Sequence, residues 1–225
     1  MIVVKRGKEP NSLLKFRKGN PDADYESDMP TDVLKDTREQ MWEEQRGLCA
    51  YCMKKIESPS VVRIEHCKPR HPQGEREHDK KATLDFKWML GVCYGNSLVR
   101  GVKPEEKTCD AHRENIELTV NPFDELSIRK IKYKADGSIY SDDMEINKDV
   151  TETLNLNCQA LSLPQTRKNV LMAEKNRIMR KCKGKSQDAF MRELERTYVS
   201  LVKERNLTPY CGIIISWLES KLKTS

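Results

Sequence analysis

Cys49 and Cys52 stand two residues apart in "LCAYC", and Cys93 and Cys109 follow, separated by sixteen positions. Two residues between thiolates let both sulfurs reach one tetrahedral ion from a single turn, so the first pair reads as half of a zinc knuckle. A closed site needs two more ligands, and Cys93 and Cys109 are the candidates. Their separation is long for a second knuckle. It is explained if residues 94–108, "YGNSLVRGVKPEEKT", form a loop inserted between ligands that are otherwise adjacent. Four thiolates close the shell and leave no position for water, so such a Zn2+ staples and does not catalyse. With 34% charged and 37% hydrophobic residues the core is modest, and the binding energy of a staple adds directly to folding. Cys158, Cys182 and Cys211 lie on helical segments and read as core thiols; Cys67 directly follows His66.

A chain of 225 residues has room for one core with appendages or for two small domains. It contains no run of eighteen apolar residues, and its start, "MIVVKRGKEPNSLLKF", lacks a signal-peptide pattern. A cytoplasmic protein without a membrane span is therefore expected, in which eight cysteines serve as ligands or free thiols more readily than as disulfides. The formal charge of +6 is uneven: Leu163 to Ser225 holds 14 Lys/Arg against 6 Asp/Glu. A basic C-terminal part suits a nucleic-acid backbone, and equally a partner surface.

Along the chain, Ile2–Lys5 reads as a strand and the rest of residues 1–28 as an extended arm. Thr31 is expected to cap a helix with apolar positions Val33, Leu34, Met41 and Trp42, ending at Gly47. The β-branched run Val61–Ile64 puts Glu65 and His66 at a strand's end. "IRKIKYKADGSIYS" alternates on either side of an Asp-Gly turn and predicts a hairpin. Phe190, Met191, Leu194, Tyr198, Leu201 and Val202 form the stripe of one amphipathic helix. Thr208 and Pro209 are expected to open a last helix that buries Ile213, Ile214, Trp217 and Leu218.

The chemistry concentrates in "RIEHCKPRHP". Hydrolysis of a phosphodiester needs an activated water, an ion that stabilises the pentavalent phosphate, and cations that grip it. Neighbouring side chains on a strand point to opposite sides. Glu65 can therefore reach a divalent ion while His66 faces the scissile phosphate as general base. Lys68 and Arg70 are placed to hold phosphate oxygens, and His71 lies in the same loop. A second ligand must come from further along, and "CDAHREN" offers Asp110 and His112 after the last cysteine. His78 sits in a solvated charge run.

The order CAYC, IEHxKPRxP, a Leu-rich segment ending GVCYGN, and then TCD resembles the HNH (ββα-metal) endonucleases that carry a zinc knuckle. More narrowly it is similar to the PtuB nucleases of Septu and retron-associated anti-phage defence systems. "MIVVKRGKEPNSLLKFRK", "LTVNPFD" and "TETLNLNCQALSLPQTR" share that likeness, so it covers most of the chain. The resemblance implies Glu65 and Asp110 as ligands of Mg2+ (or Mn2+ or Zn2+) and His66 as general base. His112 is then an alternative ligand or phosphate contact, and Arg113 a basic residue on the substrate side. It also implies a PtuA-like ATPase as partner, or that ATPase with a reverse transcriptase and its RNA/DNA.

One position departs from the family. Its middle Asn, which orients the histidine, is here Trp88. Trp donates one hydrogen bond and accepts none, so Asn96 or a backbone carbonyl has to orient His66, or catalysis is impaired. The expected architecture is α+β: a small ββα-metal HNH core stapled by a zinc on four cysteines, flanked by an N-terminal helix and a helical C-terminal region. The expected divisions are an arm (1–28), the nuclease domain (29–146) and the helical region (147–225). The expected function is a metal-dependent endonuclease favouring DNA. The alternatives are the same chemistry on RNA such as tRNA, or an impaired zinc-stapled adaptor.

Overall fold

In the computed structural model, which describes residues 1–70, 80–203 and 207–223, Glu65 and His66 close a short strand, β1 (Arg63–His66). It pairs antiparallel with β2 (Met89–Val92), Glu65 opposite Leu90 and His66 opposite Met89. A second two-stranded sheet joins β3 (Ile131–Tyr133) to β4 (Ile139–Ser141) across the expected Asp-Gly turn, with Gly137 at φ +88°. Nine α-helices stand among the described residues: α1 (Asn11–Gly19), α2 (Thr31–Glu44), α3 (Lys80–Thr83), α4 (Asp110–Arg113), α5 (Glu125–Arg129), α6 (Met144–Lys148), α7 (Leu163–Lys181), α8 (Gln187–Lys203) and α9 (Gly212–Lys223). The fold is α+β. Among the described residues no helix is long and apolar enough to cross a membrane.

Several boundaries differ from the sequence reading. Ile2–Lys5 is not a strand: among the described residues the segment has no strand neighbour, and it docks instead through buried Met1 and Val4 and one backbone bond, Val4 N–H to the Pro122 carbonyl (2.9 Å). The arm contains a helix, α1, whose Leu13 is fully buried. Thr31 is the first residue of α2, after Pro30, and no side chain caps that end. Thr208 does not open α9, which starts four residues later; Tyr210, at φ +61°, instead gives its N–H to the Met53 carbonyl (3.0 Å).

Two hydrophobic clusters divide the chain. The first gathers Met1, Leu13, Met41, Tyr51, Val62, Leu90 and residues out to Leu156, so residues 1–28 share the core of the segment that follows. The second gathers Leu171, Ile178, Leu194, Leu201, Ile213 and Leu218 from α7–α9. Cys49 to Cys52 contribute to the first, and their neighbours Leu48 and Met53 to the second. The cysteine knuckle is thus the joint between the clusters. Of the stripe expected on α8, Leu194 and Leu201 are buried, while Val202 is 41% exposed.

The outer edge of β2 is covered from the same side. The Gln45 side chain accepts from Gly91 N–H (2.7 Å) and donates to its carbonyl (2.6 Å), imitating a neighbouring strand, and Ala50 N–H shares that carbonyl (3.1 Å). An exposed strand edge is a template for wrong pairing, and here the knuckle closes it.

Candidate active site

Cys93 follows β2 directly, and Cys109 immediately precedes α4. Between them residues 94–108 close on themselves: Thr108 N–H donates to the Gly95 carbonyl (3.0 Å). Gly95 sits at φ +52°, and a Cβ there would collide with the Thr108 carbonyl oxygen. Gly95→Ala is therefore expected to cost more than about 1 kcal/mol of stability. A urea midpoint equal to that of the unmodified chain would remove this account of the loop.

The loop returns Cys109 to Cys93 with their sulfurs 3.8 Å apart. Cys49 lies 3.9 Å from Cys109, and Cys52 lies 3.7 Å from Cys93. Tetrahedral Zn–S bonds of about 2.3 Å put sulfurs about 3.8 Å apart. All four ligand atoms fall within 4.8 Å of one another, so the group can hold a metal ion such as zinc. Hydrogen bonds from the Cys109, Cys49 and Cys52 thiols hold Cys93 well below the usual thiol range, while burial pushes Cys109 well above it. Cys158 and Cys211 are buried outside this group, and Cys182 is half-buried.

Asp110 opens α4, a single turn too short to persist alone. Cys109 anchors it: its N–H donates to the Leu154 carbonyl (2.9 Å), and its own carbonyl receives the N–H groups of His112 (3.1 Å) and Arg113 (2.9 Å). The last sulfur of the four-cysteine group and the carboxylate of Asp110 therefore belong to consecutive residues at the start of one turn.

Glu65, His66 and Asp110 line one polar cleft of about 540 Å3, together with Tyr25, Arg38, Arg63, Arg70, Tyr94 and Lys107. Burial, and next to it the Asp110 carboxylate, raise Glu65 to about 8. Two carboxylates in contact share a proton or a cation. His66 is buried, which lowers it to about 4 and keeps the imidazole neutral at pH 7. Its Nε2 lies 2.8 Å from the Thr83 carbonyl. A carbonyl only accepts, so Nε2 carries the proton and Nδ1 keeps its lone pair. The Tyr25 ring meets the His66 ring edge-on at 4.6 Å.

Thr83 settles what orients the histidine: a backbone carbonyl, and not Asn96, whose amide donates to the Glu106 carbonyl (3.1 Å). Trp88 still tethers the turn after β1. Its carbonyl accepts from Cys67 N–H (2.8 Å), and its ring lies 4.8 Å from the Lys68 ammonium.

Arg113, expected on the substrate side, points inward with a side chain 1% exposed. It pairs with Glu65 and donates to the carbonyls of His66 (2.9 Å), Cys67 (2.8 Å) and Ile116 (2.7 Å). It therefore clamps the end of β1 to α4 and is not a phosphate contact. Arg113→Ala would leave Glu65 buried beside Asp110 without its counter-charge. We expect a loss of about 3–5 kcal/mol in urea unfolding, the range for breaking one side of a buried pair. A loss under about 1 kcal/mol would show that the clamp does not carry that role.

His112 does not join the cleft either: its Nδ1 lies 3.0 Å from the Thr153 carbonyl, and it is absent from the lining. Arg70 reaches the cleft, paired with Glu26 and lying 5.2 Å from the Tyr25 ring. Lys68 lies over Trp88 and outside the lining. His71 and His78 lie outside the described residues. None of the lining residues comes from α7–α9, so the basic C-terminal helices do not form this cleft.

Sequence reasoning passed over Arg63, Tyr51 and Tyr25. Arg63, paired with Asp110 at 2.5 Å, is two positions before Glu65, and strand alternation places it on the same face. Tyr51, between the knuckle cysteines, donates its hydroxyl to Glu65 (3.0 Å). Nothing local in the sequence signals Tyr25, which arrives from the arm. A second groove, of about 570 Å3, runs between the N-terminal residues, β3 and α8–α9. It is lined by tyrosines and mixed charges without a paired carboxylate and histidine, so the chemistry points to the first cleft.

No family model matches this sequence, and no curated protein matches it.

Proposed function

We propose that the chain is a metal-dependent HNH endonuclease that hydrolyses nucleic-acid phosphodiesters. The observation that carries this reading is the convergence of Glu65, Asp110 and a neutral, oriented His66 in one polar cleft, on the order strand, strand, short helix. The four cysteines would hold a structural Zn2+ beside it.

Two carboxylates suit Mg2+ or Mn2+, which keep several waters and take the remaining ligands from substrate phosphate. Such an ion would be held by Glu65 and Asp110 and would supply charge stabilisation to the phosphoryl oxygens. Glu65 is restrained by Tyr51 and Arg113, and Asp110 by Arg63, which fixes the pair before substrate arrives. His66 Nδ1 takes the proton of a water attacking phosphorus in line. The new O–P bond forms as the bond to the leaving sugar oxygen breaks, and that oxygen is protonated from solvent.

Thr83 supplies to His66 what the family's Asn otherwise supplies, which favours an active enzyme over the adaptor reading. The family likeness adds a defence role with a PtuA-like ATPase restraining the nuclease. The exposed basic faces of α7 and α8 are free of the cleft and suit such a partner. The test is incubation of the purified protein with plasmid DNA, genomic DNA and total RNA, with and without added Mg2+ or Mn2+. Cleavage of at least one substrate only with added ion supports the reading. No cleavage of any, with or without the ATPase, removes it.

A further inference from the structure

The cations around the cleft fall into two kinds. Three are spent within the protein: Arg63 on Asp110, Arg70 on Glu26 and Arg113 on Glu65. Arg38 and Lys107 also line the cleft, yet among the described residues neither side chain makes a hydrogen bond or an ion pair. Arg38 comes from α2, next to the buried Thr37, and its Nε is shielded from solvent without any partner. A buried donor left unpaired is destabilising, so the fold itself gains nothing from it. Lys107 comes from the loop that also brings Cys109 and Asp110 into place. Two unpaired positive charges from separate elements thus face one polar cavity that also holds the carboxylate pair.

Resting on the nuclease reading, we infer that Arg38 and Lys107 are the cleft's phosphate-binding residues, each gripping a backbone phosphate of the strand whose scissile phosphate lies at Glu65 and Asp110. Arg38 offers a planar fork matched to phosphate oxygens, and Lys107 offers a point charge. Neither residue needs a base edge, so the grip is independent of sequence. Because neither holds the fold together, both are available for substrate. Arg113, the conspicuous cation of the motif, is not.

The test is fluorescence anisotropy of labelled duplex DNA and labelled single-stranded RNA with Mg2+ present, in a His66→Ala background so that the probe is held without being cut. Arg38→Ala and Lys107→Ala are compared singly and together, with Arg38→Lys as the conservative variant and Lys148→Ala, on α6, as an exposed-lysine control. The double variant is expected to bind at least about 10-fold more weakly at low salt. Its plot of log K against log salt should flatten by about 0.9 per lost contact on duplex, or about 0.7 on a single strand. Arg38→Lys should restore the slope and only part of the affinity. Thermal midpoints should stay within a degree or two, since no intramolecular bond is removed. If the double variant keeps the parent's affinity and slope on a probe that the parent binds, the inference falls and the nuclease reading stands. If the parent binds neither probe and the unmodified protein cuts nothing, both fall together.

Discussion

Removing the metal from the four-cysteine group is expected to unfold much of the region around β1, β2 and α4. Chelation, or Cys93→Ser, should lower the melting temperature by about 10–20 °C, equivalent to about 2.5–10 kcal/mol in a chain of this size. Structural zinc contributes about 10–16 kcal/mol in small zinc modules, of the order of a whole domain's stability. Here the four sulfurs tie the knuckle, the end of β2 and the start of α4 to one point. Without the ion, four thiols within 4.8 Å have no shared cation, and the short helix carrying Asp110 loses its anchor. The knuckle also feeds Leu48 and Met53 into the second cluster, so α7–α9 should loosen on chelation even though they supply no ligand. Release of one zinc per chain together with the thermal shift is the expected observation. An unchanged melting curve with no metal released would show that the cysteines are only buried thiols.

His66→Ala is expected to lower the rate of cleavage by about 100- to 10,000-fold, the usual worth of a positioned general base. Binding of nucleic acid should be nearly unchanged, because the imidazole is 4% exposed and the grip lies elsewhere. His66→Gln should be no better: an amide can keep the bond to the Thr83 carbonyl but cannot take a proton from water near neutral pH. Glu65→Ala should be equally inactive for a different reason, having lost an ion ligand and left Arg113 buried without its counter-charge. The two are separated by stability: His66→Ala should melt near the parent, and Glu65→Ala several degrees lower. Cleavage by His66→Ala at the parent's rate would require another base.

How much of this was legible in the sequence depends on how local each signal is. The knuckle spacing, the Glu-His pair at a strand's end and the Asp-Gly hairpin are short-range patterns, and each has its structural counterpart. Residues 94–108 were readable as an insertion for a similar reason: two glycines and a proline mark a loop whatever it closes upon. Arg113 departs from the sequence expectation because a charged side chain need not be exposed. A guanidinium with five donors can be satisfied inside by a carboxylate and three carbonyls, and nothing in "DAHREN" reveals that. The extended Ile2–Lys5 looked like a strand because strand propensity says nothing about whether a neighbour exists. Helix α1 was hidden by the Pro- and Gly-containing residues around it. Thr83 could not have been found at all, since any residue has a carbonyl and only the fold decides which one faces His66.

The central claim is that "LCAYCMKKIESPSVVRIEHCKPRHP" begins two metal sites with opposite tasks, finished by the neighbours Cys109 and Asp110. The most direct test is metal content and Mn2+ titration, followed by electron paramagnetic resonance, on the parent chain and on Glu65→Gln and Asp110→Asn. The account predicts one tightly held zinc per chain in all three proteins. It also predicts one exchangeable Mn2+ in the parent that each substitution weakens at least about 10-fold. Mn2+ binding that ignores both substitutions, or zinc lost along with it, would contradict the separation of staple from catalytic centre.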